Sequence, residues 1–141
     1  MKRLNDFQLS KHFNLREFMC PCCGRVKIYP DLIEALELLR KYIGAKPIYI
    51  TSGYRCPEHN RAIGGAPDSD HLYGYAADIV VEGMSGAALA LAATAFPTLI
   101  KRIGTYDGNS EMVHIGIQDR SPLPSRWGPV WSEQERDDKN A

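Results

Sequence analysis

Ser69-Asp70-His71-Leu72-Tyr73-Gly74-Tyr75-Ala76-Ala77-Asp78-Ile79-Val80-Val81 runs from a polar loop into a short apolar strand. Ala76 to Val81 reads as that strand, with the carboxylate of Asp78 inside it. His71 stands seven residues earlier. Residues seven apart on a straight strand point to opposite faces. His71 and Asp78 therefore share a site only if the chain bends between them, and Gly74 supplies the place to bend.

A second strand is predicted from Glu111 to Ile117, where Val113, Ile115 and Ile117 alternate with Met112, His114 and Gly116. If the first three pack into a core, His114 faces the other way, into a cleft. Glu111 has the wrong parity to accompany it on a regular strand. It has to lie at the strand entrance or beside a bulge.

Working outward, Asp31 to Ile43 carries Leu32, Ala35, Leu36, Leu39 and Ile43 at spacings of three and four, one apolar stripe on a helix. Pro30 and Asp31 suit its start and Gly44 its stop. Pro47 to Ser52 reads as a strand ended by Gly53. Arg55 to Asp70 reads as a loop with a short helical turn at Glu58–Ala62, and long loops in small domains are often functional. Ser85 caps a small-residue helix running through Ala95, and Pro97 follows it. Ile100 to Tyr106 is a weak strand. Phe7, Leu9, Phe13, Leu15 and Phe18 anchor an irregular N-terminal arm.

From Asp119 the periodicity stops. Pro122, Pro124 and Pro129 argue against a regular element, while Trp127 and Trp131 argue that part of this segment packs on the domain. The expected organisation is one domain over 1–118 and a partly mobile tail over 119–141, its charged end from Glu133 to Ala141 being the most mobile part.

The 141 residues suffice for one domain with its own core. Lys plus Arg and Asp plus Glu both number 17, so no bulk field favours nucleic acid or an anionic membrane. No apolar run approaches the ~20 residues of a membrane helix. Polar residues through Lys11-His12 leave no h-region after the basic N-terminus, so the expectation is synthesis in the cytoplasm without a secretory signal. A monomer is favoured.

His71, Asp78 and His114 form a two-His, one-carboxylate set, a usual ligand set for catalytic zinc with the fourth position left to water. Such ligands leave the ion a Lewis acid and bring the pKa of that water from 15.7 to about 7. A carboxylate nearby, Glu111, would carry the proton to the leaving amine. Arg55 would stabilise an oxyanion or hold a substrate carboxylate. Each residue alone also has a plain structural reading.

Four groups of residues in order, Ser52-Gly53-Tyr54-Arg55, Asn60 with Gly64-Gly65, Ser69-x-His71-x-x-Gly74-x-Ala76-x-Asp78, and Glu111-x-x-His114, resemble the D-alanyl-D-alanine metallopeptidase family from about Phe13 to Ile117. That family holds zinc D-Ala-D-Ala carboxypeptidases, dipeptidases and phage L-alanyl-D-glutamate endolysins, and shares its fold with the hedgehog signalling domain. The resemblance implies an α+β domain with a mainly antiparallel sheet and flanking helices. It implies Zn2+ on His71, Asp78 and His114, Glu111 as general base, and Arg55 on substrate or oxyanion. The implied partner is the peptidoglycan stem peptide, cut after release into the wall if the chain is an endolysin. The alternative is a non-catalytic, zinc-stabilised binding or phage structural module. Relatives often carry an acidic residue shortly after the last His, where this chain has Gly116.

Of the four cysteines, Cys20-x-x-Cys23 with Cys56-x-x-His59 has the spacing of a Cys₃His structural zinc site, leaving Cys22 unassigned. A disulfide to Cys56 and free buried thiols compete with it.

Overall fold

A computed structural model describes residues 3–132; the charged end expected to be mobile, 133–141, lies outside them. Five strands form one sheet: β1 (Tyr49–Ser52), β2 (Ala76–Val80), β3 (Arg102–Tyr106), β4 (Asn109–Gly116) and β5 (Arg126–Trp127). Their order is β1-β2-β4-β3-β5, antiparallel except where β5 joins β3 in parallel. Three α-helices lie wholly within the described residues: α1 (Pro30–Tyr42), α2 (Pro57–Ala62) and α3 (Gly86–Ala93). The fold is α+β with a mainly antiparallel sheet, as the family resemblance implies.

Cross-strand partners share a face, which separates the two sides of the sheet. Ile79 pairs with Val113, Ala77 with Ile115, and Ile115 with Ile103. These residues are fully buried and meet Leu32, Leu36 and Leu39 of α1 and Leu89, Ala90 and Ala93 of α3. Each fully buried branched side chain contributes about 1.5–3 kcal/mol. The opposite face carries one row across all five strands: Ser52, Asp78, His114, Gly104 and Trp127. The core is therefore on one side of the sheet and the polar row on the other.

The prolines after Asp119 do not keep that segment out of the sheet. Arg126 and Trp127 add as β5, and the Trp131 indole N–H donates to Ile103 O at 3.1 Å. The ring of Trp127 lies over Gly104, where a Cβ would come within 2.1 Å of it. No residue larger than glycine fits there beneath the indole.

The N-terminal arm is tied down by Glu37 on α1. Its carboxylate accepts from Ser10 Oγ, from the His12 backbone N–H at 3.0 Å and from His12 Nδ1 at 2.6 Å. Burial alone would push this carboxyl up; the hydrogen bonds from Ser10 and His12 outweigh it and hold the pKa below its ordinary value. A carboxylate with a depressed pKa stabilises the fold above the ordinary carboxylate range, and that contribution is lost as pH falls through the folded-state value. Glu37→Gln is thus expected to cost about 1 kcal/mol near neutral pH. In urea unfolding the gap to the parent protein should close in acid, as pH falls through the depressed folded-state value. An equal gap near neutral pH and in acid would mean that the charge is irrelevant.

Candidate metal centre

His71 lies on a 3-10 turn, Asp70–Tyr73, capped at its start by Ser69 Oγ. Gly74 ends the turn in the left-handed region, φ +75°, and a Cβ there would sit 2.5 Å from Lys27 O. The chain can turn from this position into β2 only with glycine. That turn brings His71 back over Asp78.

Asp78 and His114 are direct cross-strand partners on the polar face of the sheet. One donor atom from each of His71, Asp78 and His114 lies within 4.8 Å of the others, and all three residues are buried. His71 Nε2 and His114 Nδ1 each stand 3.3 Å from Asp78 Oδ1.

The hydrogen bonds of the far ring nitrogens decide what these atoms can do. His71 Nδ1 donates to Gly53 O at 2.7 Å, and a carbonyl can only accept. His114 Nε2 donates to the carboxylate of Asp70 at 3.4 Å. Both imidazoles therefore turn a lone pair toward Asp78. His71 Nε2 and His114 Nδ1 are buried with no hydrogen-bond partner among the described residues. Buried polar atoms without a partner are rare and costly. Two lone pairs and a carboxylate oxygen facing one another repel, and a cation placed between them removes the conflict. The donor set fits a divalent metal ion such as zinc.

The charges agree. Burial lowers the pKa of His71, favouring the neutral imidazole that a metal requires. Burial also opposes a charge on His114, yet Asp70 and Asp78 outweigh it and raise the pKa. A position that attracts a proton in this way also attracts a metal cation. Burial would push the Asp78 carboxyl up, but His71 and His114 hold it far below the ordinary range, so it is ionised.

Several supporting residues are not evident from motif spacing. Tyr106 donates to Asp78 Oδ1 at 2.6 Å; burial and the Asp78 charge raise its pKa, so the O–H persists. Asp70 holds His114 and is itself held by Arg102 and by Arg120, the latter at 2.6 Å. Arg120 stacks on the Tyr73 ring, 4.7 Å from its centroid. Burial would raise the Asp70 carboxyl, but His114 and the arginines bring it down to about 2. Asp70 also answers the departure at Gly116. Its Oδ2 lies 3.1 Å from where a Gly116 Cβ would be, so Asp70 places its carboxylate in the space that Gly116 leaves. The one sequence signal for Asp70 was its position next to His71.

Arg55 reaches the site, chiefly as a positioning residue. Nη2 pairs with Asp78 Oδ2 at 3.2 Å, Nη1 donates to Asn60 Oδ1 at 3.2 Å, and Nε donates to Ser52 Oγ at 3.1 Å. Three of the five guanidinium N–H groups are spent in this way, and two remain. Groups that orient metal ligands typically govern metal affinity by 10–100-fold. Arg55→Ala is expected to weaken metal binding by about that factor and to lower the melting temperature, because it removes the partner of Asp78 Oδ2. Unchanged metal affinity in competition with a chelator would remove the positioning role.

Glu111 is not brought to the ligands. It is exposed and does not line the cavity over the site. Its parity matches Val113 and Ile115, and β4 is irregular against β3 at this point, with Thr105 opposite Val113 but Tyr106 opposite Asn109. Its carboxylate makes no hydrogen bond or ion pair among the described residues; only its backbone N–H does, to Asn109 Oδ1.

The cavity has a volume of about 640 Å³ and is lined by Arg55, His71, His114, Arg102, Tyr106 and Trp127, with the 63–70 loop as its rim. The Trp127 indole N–H is buried and unpaired among the described residues.

Comparison with known proteins gives three findings. The sequence model of the family described as Peptidase M15 matches residues 11–116. A zinc D-Ala-D-Ala carboxypeptidase of Streptomyces albus G is 41% identical over 85 residues, 60% of this chain and 33% of that protein. The chain thus spans about a third of the length of the curated relative it matches. A crystal structure of a Serratia marcescens L-Ala D-Glu endopeptidase superposes with a TM-score of 0.47 at 22% identity, covering 64% of this chain and 80% of that one.

Proposed function

This chain belongs to the peptidase M15 family, and from that premise we propose that it is a zinc-dependent peptidase hydrolysing the peptidoglycan stem peptide, with D-Ala-D-Ala carboxypeptidase activity as its first expected reaction. The observation that carries the proposal is the pair of unpartnered lone pairs, His71 Nε2 and His114 Nδ1, converging on Asp78 Oδ1. The carboxypeptidase of Streptomyces albus G supports the substrate class.

His71, Asp78 and His114 would hold a zinc ion, which would supply Lewis acidity toward the scissile carbonyl and toward water at neutral pH. The residues of the chain do the rest. Asp70 and Gly53 O keep the two imidazoles in the tautomers that present lone pairs inward. Tyr106 and Arg55 hold the two oxygens of Asp78. The two spare N–H groups of Arg55 and the indole N–H of Trp127 are donors for a substrate carboxylate or carbonyl along the cavity wall. Glu111, three residues before His114 and outside the cavity in the free protein, would carry the proton to the leaving amine once the irregular part of β4 brings it to the bound substrate. Its carboxylate is uncommitted, and free-enzyme geometry does not exclude such a base, because catalytic hydrogen bonds often tighten only with substrate.

Incubation with a synthetic stem pentapeptide, with and without chelator, tests this reading. Release of free D-alanine that chelator abolishes and zinc restores is the expected result. Cleavage between L-alanine and D-glutamate instead would make it an endopeptidase, the chemistry of a phage or prophage endolysin released into the wall. One observation favours the second reading, a non-catalytic zinc-stabilised binding or phage structural module: the exposed position of Glu111, outside the cavity. Cleavage of neither bond by zinc-loaded protein would support it.

A further inference from the structure

Outside the cavity, the structure gathers all four cysteines. Their Sγ atoms lie within 4.8 Å of one another. Cys20 Sγ is 3.6 Å from Cys22 Sγ, which is 3.3 Å from Cys56 Sγ. A disulfide needs about 2.05 Å, so no pair is bonded. Four sulfurs at about 2.3 Å from a tetrahedral zinc ion lie about 3.8 Å apart, close to the separations here. The donor set is also not the Cys₃His of the sequence spacing: Cys22 takes the fourth place, and His59 contributes only its backbone N–H, to Cys56 Sγ at 3.4 Å.

The backbone is arranged around these sulfurs. Cys20-Pro21-Cys22-Cys23-Gly24 forms a tight turn closed by the Gly24 N–H on Cys20 O at 2.9 Å, with Gly24 in the left-handed region. The Cys56 N–H points at Cys20 Sγ at 3.5 Å. Backbone N–H groups directed at sulfur favour thiolate, the form that binds metal. Cys20 and Cys56 are buried with Tyr54 in a small cluster of their own, half-buried Val26 packs against both it and the main core, and Cys22 and Cys23 are exposed. So small a cluster has little apolar surface to hold itself together, and a bound metal is one of the staples that small cores use.

We propose that Cys20, Cys22, Cys23 and Cys56 hold a second, mononuclear zinc ion that clamps the N-terminal arm to the segment carrying Arg55. Four sulfurs this close enclose one ion; an iron–sulfur cluster would need bridging sulfide and several irons between them. The clamp acts at a tight joint. The Tyr54 N–H donates to Phe18 O at 2.8 Å, and a Cβ on Gly53 would meet Phe18 backbone at 2.5 Å. Arg55 lies between Tyr54 and Cys56 and pairs with Asp78, so the ion stiffens the support of the centre described above. Only this last link rests on the proposed function.

Elemental analysis of protein purified under reducing conditions tests the site. The parent protein should carry about two zinc ions per chain, the His71→Ala/His114→Ala double variant about one, and Cys22→Ser/Cys23→Ser about one. X-ray absorption on the histidine double variant, whose cysteine cluster is untouched, should show a sulfur-only shell near 2.3 Å. Loss of all metal from that variant while four thiols react freely overturns the site. So does a disulfide or a coloured ferric centre. If the parent protein itself holds only the sulfur-bound ion, the clamp stands and the His71–Asp78–His114 reading falls.

Discussion

His71→Ala and His114→Ala proteins are each expected to lose one metal equivalent and to lose stem-peptide hydrolysis by at least about a thousandfold. The size follows from the chemistry removed. A Lewis acid contributes several kcal/mol to an amide-hydrolysis transition state, and about 4 kcal/mol corresponds to a thousandfold in rate. The expectation rests on the two inward lone pairs with no other partner, His71 Nε2 and His114 Nδ1. Removing either leaves Asp78 and a single imidazole, too few ligands for tight binding. Folding should survive, since each histidine gives up one hydrogen bond, to Gly53 O or to Asp70. Elemental analysis together with a melting curve reads both effects. Full metal content and undiminished hydrolysis in both variants would sink the ligand assignment.

Glu111→Gln is expected to keep its metal and its melting temperature and to turn over stem peptide about a hundredfold more slowly. A placed proton carrier typically supplies 10²–10⁴. The substitution preserves size and removes only the titrating group, so a loss confined to turnover assigns a proton-transfer role. Stability should not move, because the Glu111 side chain is exposed and unpaired among the described residues. The result separates the two functional readings. Retained turnover gives the proton transfer to another group at the cavity. Absence of turnover in the parent protein as well makes the domain a binding module.

The sequence alone pointed to His71, Asp78 and His114 and to the strands and helix around them. Alternation in Val113, Ile115 and Ile117 turned His114 away from the core, because strand side chains have a period of two. Gly74 marked the bend that His71 needs, and the stripe from Leu32 to Leu39 marked α1. These are local rules, readable within one element. Tertiary structure alone decided which side chains hold the ligands. Asp70, Tyr106 and Trp127 belong to three different elements, and only sheet pairing puts Gly104 and Trp127 in one row with Asp78 and His114. It likewise spent most of Arg55 on Asp78, left Glu111 outside the cavity, and exchanged His59 for Cys22 among the cysteines. Each of these depends on contacts across long stretches of chain, where spacing along the sequence carries no information about distance in space.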